Sequence, residues 1–140
     1  MKEGYKKPNL ESKYFDELFE SLPSLEDKTV LITGTTTGTG FTAAEACGKL
    51  GAKVVLLNRP SERAKTSFEK LKETTSNGSF YPIDCDLQSF ASVRDCIPKI
   101  NELCPEGIDV LCNNAGVMAL EDMPTGDGYD IQMQTNHLSH

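Results

Sequence analysis

Residues 30–41, VLITGTTTGTGF, decide how the rest of the chain is read. Val30, Leu31 and Ile32 suit a strand; Gly34, Gly38 and Gly40 follow among threonines, and Phe41 opens a small-residue stretch. Glycine loses more backbone entropy on folding than any other residue, so a turn holding three of them must need bare backbone. Here the chain reverses after a strand and starts a helix whose N-terminal N–H groups and dipole face the crevice, a setting suited to phosphate. Glycines permit the turn and remove side chains that would hold a phosphate away. Ala43 and Ala44 then let the helix lie close to the sheet. A P-loop is excluded, because no Gly-Lys-Ser/Thr follows at the required spacing. The plain alternative is a glycine-rich turn with no ligand.

Outward from the turn, strand and helix signals alternate. KTVLIT (28–33), KVVLLN (53–58), SFYPID (79–84) and IDVLCNN (108–114) read as strands. Between them run helices with Ala43, Cys47 and Leu50 on one face of the first, Ala64, Phe68 and Leu71 on the second, and Phe90, Val93, Ile97 and Ile100 on the third. Near-continuous apolar strands separated by amphipathic helices imply a parallel sheet covered on both faces. With right-handed crossovers, the expectation is a doubly wound α/β fold with strand order 3-2-1-4. Pro82 agrees, since a proline cannot donate to a ladder and belongs on an edge strand. Pro98 predicts a kink or an early stop in the third helix, at about 3 kcal/mol if the helix ran straight through.

Two domains of unequal weight are expected: residues 1–27 as an appendage and 28–140 as the nucleotide-binding body. In the appendage Tyr14, Phe15, Leu18, Phe19 and Leu22 recur at helical spacing, which predicts a short amphipathic helix packed on the body and ended by Pro23. A partner-binding helix is the other reading.

The whole chain has 140 residues, enough for one core, and a formal net charge of -7, which argues against nucleic acid. Apolar runs are too short to cross a bilayer, and acids among the first residues speak against a leader peptide, so a cytoplasmic location is expected. Five cysteines without a CxxC pair fit neither a disulfide framework nor a zinc site. His137 and His140 sit three apart, but no Glu or Cys nearby completes a metal site.

The spacing in TGTTTGTG (33–40) is Gly-x-x-x-Gly-x-Gly, and it resembles the signature of the short-chain dehydrogenase/reductase family. Asp86-Leu87 after the third strand, NNAGVM (113–118) after the fourth and DGYDIQMQTNHLSH (127–140) match further motifs of that family. The last is similar to the segment in retinol dehydrogenase-like and protochlorophyllide reductase-like members. Together these motifs cover residues 28–140. The resemblance implies a Rossmann-type fold and an oxidoreductase acting on the alcohol or carbonyl group of an apolar small molecule. Gly34, Thr36, Thr37, Gly38, Thr39 and Gly40 would hold the pyrophosphate and adenosine ribose, with Thr39 standing where the family usually has isoleucine. Asp86 and Leu87 would meet the adenine, although Asp86 also reads as a charge near a helix N-terminus. Asn113, Ala115 and Gly116 would line the ribose and nicotinamide side, with Asn113 tying the sheet together. Asn136 matches the supporting catalytic asparagine. Asp127 and Asp130 read as the N-cap and third position of its helix, which places Asn136 two turns in.

The end of the second strand bears on the cofactor. A carboxylate there accepts hydrogen bonds from a ribose 2'-OH, whereas arginine accommodates a 2'-phosphate. Asn58 and Arg59 occupy the place. With no repelling charge and a planar cationic fork, NADP is favoured over NAD; a solvated arginine before Pro60 is the alternative.

The family's serine and Tyr-x-x-x-Lys are expected beyond His140, since none of Tyr5, Tyr14, Tyr81 and Tyr129 is followed four residues later by lysine. The expectation is therefore the cofactor-binding front part of an enzyme, incomplete at its C-terminus and inactive alone. An uncovered fourth strand would invite self-association. A non-catalytic nucleotide-binding or interaction module is the competing reading.

Overall fold

The structure, a computed structural model, describes residues 14–140. Four strands, β1 (Thr29–Thr33), β2 (Lys53–Asn58), β3 (Ser79–Asp84) and β4 (Val110–Cys112), form one parallel sheet in the order β3-β2-β1-β4. The connecting helices are α2 (Gly38–Lys49), α3 (Glu62–Thr74) and α4 (Phe90–Leu103). A short α1 (Phe15–Glu20) precedes them, and α5 (Ile131–Met133) follows, continued by a π-helical turn, Gln134–Leu138.

The central strands bury every residue except the first, as expected when helices cover both faces. Their apolar runs split by period two. Val30, Ile32, Val54 and Leu56 face α2 and α3, where Ala44 and Leu71 are fully buried. Leu31, Val55 and Leu57 face α4 and meet Ile83, Cys85 and Cys96. Burying one Leu or Ile contributes about 1.5–3 kcal/mol, so these two layers dominate the stability.

β3 is an edge strand and carries Pro82, which pairs in register with Leu56. At the other edge β4 is shorter than residues 108–114 predict. It spans Val110–Cys112, and Val110 and Leu111 are 46% and 53% exposed. Ladder contact with β1 covers those three positions alone, which is why pairing stops there.

Three helical expectations are corrected. Of the kink or early stop expected at Pro98, the early stop does not occur: α4 runs on to Leu103. Proline there faces solvent, so the helix is held by Val93, Cys96, Ile100 and Leu103 on the opposite stripe. Ile97 is 49% exposed because it lies one residue, about 100°, from buried Cys96. α1 forms, but none of its residues is buried. Phe15 and Phe19 stack on each other with centroids 5.9 Å apart, and contact with the core begins only at Leu25. The calls on residues 1–13 lie outside the described residues.

Candidate functional site

β2 and β3 lie on one side of β1, and the chain returns after α4 to place β4 on the other. Such a reversal of winding opens a crevice at the carboxyl ends of the strands. An open cleft of about 700 Å³ lies at those ends. Its walls include the β1–α2 turn, the ends of β2 and β3, and the segment after β4.

The glycine turn is braced from both sides. Gly34 has φ +72°, and a Cβ there would lie 2.8 Å from Ala115 Cα, so the close approach of the two loops requires glycine. Asn58, at the end of β2, accepts from Thr35 N–H at 2.8 Å and donates to Thr35 Oγ1 at 2.8 Å. Thr35 is fully buried, and this pair of bonds gives its N–H and its hydroxyl a partner away from water. Asn58 thus does more than withhold a charge; it pins the turn.

Thr33 forms the second brace. Its Oγ1 accepts from Asn114 N–H at 3.0 Å and Ala115 N–H at 2.9 Å, and lies 2.9 Å from His140 Nε2. Two donated protons fill the hydroxyl's lone pairs, so its own proton goes to Nε2, which must accept. The Asn114 amide donates to Thr33 O at 2.9 Å and Gly34 O at 3.1 Å. The tie expected of Asn113 is therefore made by its neighbour. Asn113 is exposed and does not line the cleft, whereas the four residues after it do.

Thr37 caps α2 in extended conformation without a side-chain bond, and no acid occupies the helix's first turn. Its N-terminal N–H groups therefore stay free of internal carboxylates at the cleft. Gly34, Thr36, Thr37, Thr39 and Gly40 all border the cleft; Gly38, at φ +61°, does not. Arg59, Asp86, Leu87, Ala115 and Gly116 border it as well. One Asp86 oxygen accepts from Gln88 N–H at 2.9 Å, while the cap of α4 belongs to Ser89. Burial above all, then the neighbouring Cys96, pushes the Cys85 thiol up to about 12.

Arg63, in the first turn of α3, also borders the cleft and was missed in the sequence. A second arginine four residues after Arg59 was the available signal. Among the described residues no carboxylate pairs with either arginine; Glu62, the acid between them, is held by Lys65 at 2.6 Å.

The helix bearing Asn136 starts later than the sequence predicts. Asp130 is its N-cap, accepting from Met133 N–H at 2.8 Å. Gly128, at φ +86°, takes the preceding chain off a helical path. Asp127 instead accepts from Phe90 N–H at 2.8 Å and Gln134 Nε2 at 2.6 Å, and those bonds, the Phe90 one foremost, hold its carboxyl below the usual range. Asn136 accepts from Val117 N–H at 2.7 Å and donates to Val117 O at 2.8 Å. It is exposed, is not among the residues that border the cleft, and braces the loop after β4.

Residues 28–140 match the family model described as short chain dehydrogenase. The chain is 34% identical to human retinol dehydrogenase 13 over 120 residues, 86% of this chain and 36% of that protein. It is 33% identical to human polyprenol dehydrogenase over 118 residues, 84% of this chain and 36% of that protein. Among solved structures, the Pseudomonas aeruginosa RhlG/NADP active-site complex superposes with a TM-score of 0.66 at 32% identity, covering 83% of this chain and 44% of that one. A Mycobacterium paratuberculosis protein gives 0.75 at 34% identity, with 87% and 42% covered. The chain thus spans little more than a third of the length of these curated relatives.

Proposed function

The chain belongs to the short chain dehydrogenase family, and from that premise we propose that it is the NADP-binding part of an oxidoreductase acting on an alcohol or carbonyl group. The observation that carries the reading is the junction of the uncapped α2 N-terminus with two unpaired arginines across one cleft. A dinucleotide fits this cradle: the cleft is bordered by the N-terminal turn of α2 and by Arg59 and Arg63, and glycine at 34 and 40, where a Cβ would collide with Ala115 or with Asn114 and Gly34 O, lets the turn pack against the loop after β4 that forms the far wall. In this reading the backbone around Gly34–Gly40 holds the pyrophosphate, and Arg59 with Arg63 holds the 2'-phosphate. Asp86 and Leu87 border the adenine, and Ala115 and Gly116 border the nicotinamide side. Asn136 keeps the loop after β4 in place. The bound nicotinamide would supply or accept the hydride. The relatives are named for polyprenol and retinol, which supports an apolar alcohol, or its carbonyl counterpart, as substrate.

Among the described residues no helix is long and apolar enough to cross a membrane; a cytoplasmic location remains part of the proposal. Proton transfer to the substrate oxygen needs an acid or base within hydrogen-bond reach, and Asn136 cannot act as either near neutral pH. The 140-residue chain is therefore proposed to bind NADP without turnover. A non-catalytic nucleotide-binding module is the second reading. NADPH oxidation with carbonyl substrates, after a downstream segment bearing serine and Tyr-x-x-x-Lys is joined, separates the two.

Calorimetric titration tests the cofactor directly. NADP should bind about tenfold or more tightly than NAD, the gap should narrow as salt screens the arginines, and Arg59→Asp should reverse the order. Equal affinities in the parent protein remove Arg59 from the site.

A further inference from the structure

Among the described residues, two buried side-chain oxygens have no hydrogen-bond partner, Thr75 Oγ1 and Thr135 Oγ1. Thr75 is not among the residues that border the 700 Å³ cleft, but Thr135 is, while only 6% exposed. Leaving a buried hydroxyl unpaired costs its full desolvation, so such an atom on a ligand wall calls for a partner that arrives with the ligand. Threonine, unlike other β-branched residues, divides between two χ1 rotamers in a helix. As it stands Oγ1 is closed off from solvent, and the turn about χ1, which exchanges Oγ1 with the methyl group, brings the hydroxyl to the face that borders the cleft. Direction is given by Ser139, one turn further along the same segment, whose Oγ donates to Leu87 O at 2.7 Å. This face of the segment therefore looks toward Asp86 and Leu87.

We propose that Thr135 is a further ligand-binding residue, its hydroxyl hydrogen-bonding the adenosine half of the dinucleotide. The proposal rests on the dinucleotide reading above and adds a contact that reading does not contain. It also explains why a threonine stands at a buried position where valine would fill the same volume without an unpaired oxygen.

Thr135→Val separates this role from simple packing, because the two roles move two readouts in opposite directions. Removing the hydroxyl relieves the unpaired oxygen, so the thermal midpoint of the ligand-free 140-residue chain should stay level or rise. Affinity for adenosine 2',5'-bisphosphate, a probe without the nicotinamide half, should fall about fivefold to tenfold. Thr135→Ser keeps the hydroxyl and should bind within about twofold of the parent. An unchanged affinity in Thr135→Val overturns the proposal. So does a loss that Thr135→Ser shares in full, which would mark a packing effect. Failure of the parent chain to bind the probe at all defeats the dinucleotide reading itself and is distinguishable from both.

Discussion

Gly40→Ala sets two effects of opposite sign against each other. Gly40 lies in the first turn of α2, where alanine gains about 1 kcal/mol in helix propensity. The structure opposes that gain, because the added Cβ would fall well inside contact distance of Gly34 O and Asn114 Nδ2. One of these is backbone and the other is pinned by bonds to Thr33 O and Gly34 O, so neither can step aside cheaply. Forcing an extra methyl into a packed site costs about 1–3 kcal/mol. Displacing the Asn114 amide forfeits two hydrogen bonds at about 0.5–1.5 kcal/mol each. The net expectation is a loss of about 1–5 kcal/mol, a large part of a typical total of about 5–15 kcal/mol. Urea unfolding of parent and variant, followed by circular dichroism, measures it, and the midpoint should fall with the slope unchanged. A dinucleotide titration of the same samples should show weaker binding, since the displaced wall is the cleft wall. If the variant proves more stable than the parent by the propensity gain, the close approach of these loops is wrong.

Three further outcomes are expected. Pro98→Ala should stabilise the chain by about 1–3 kcal/mol in the same unfolding assay, since α4 continues past the residue and regains a backbone donor; a loss of stability would mean the proline geometry is itself required. Asp109 accepts from Thr29 N–H at 2.8 Å and Lys28 Nζ at 2.9 Å, joining the starts of β4 and β1, and these bonds, the backbone one foremost, hold its carboxyl below the ordinary 3.8. A depressed folded value means stability that is present above the unfolded value and lost as pH falls through the folded one. Asp109→Asn should therefore flatten the fall of the unfolding midpoint below about pH 4, and an unchanged acid limb would refute that assignment. Self-association through the open β4 edge is proposed from the exposure of Val110 and Leu111; light scattering on the 140-residue chain should show growth with concentration that Leu111→Lys reduces, and a monomer at all concentrations would contradict it.

The sequence by itself determined what depends on local chemistry. Apolar runs broken by helical stripes told of a parallel sheet, Pro82 told of an edge, and the glycine turn told where the helix N-terminus would open. The strand order and the two-layer core agree with that reading. Residue-level decisions made by contacts across the chain were out of reach. Asn113 and Asn114 are chemically identical, and only the bonds to Thr33 and Gly34 select Asn114 as the tie. Asp127 and Asp130 are both good N-caps, and the choice falls to Asp130 because Asp127 is taken by Phe90, 37 residues away in the chain. Thr135 enters the cleft wall through the packing of the last helical segment, which no local pattern encodes, whereas the spacing from Arg59 hinted at Arg63 and only the packing of α3 brought it to the cleft. Propensity and periodicity act within a few residues, whereas the partner of a buried polar group is fixed only once distant segments have packed, and it is those partners that make this cleft.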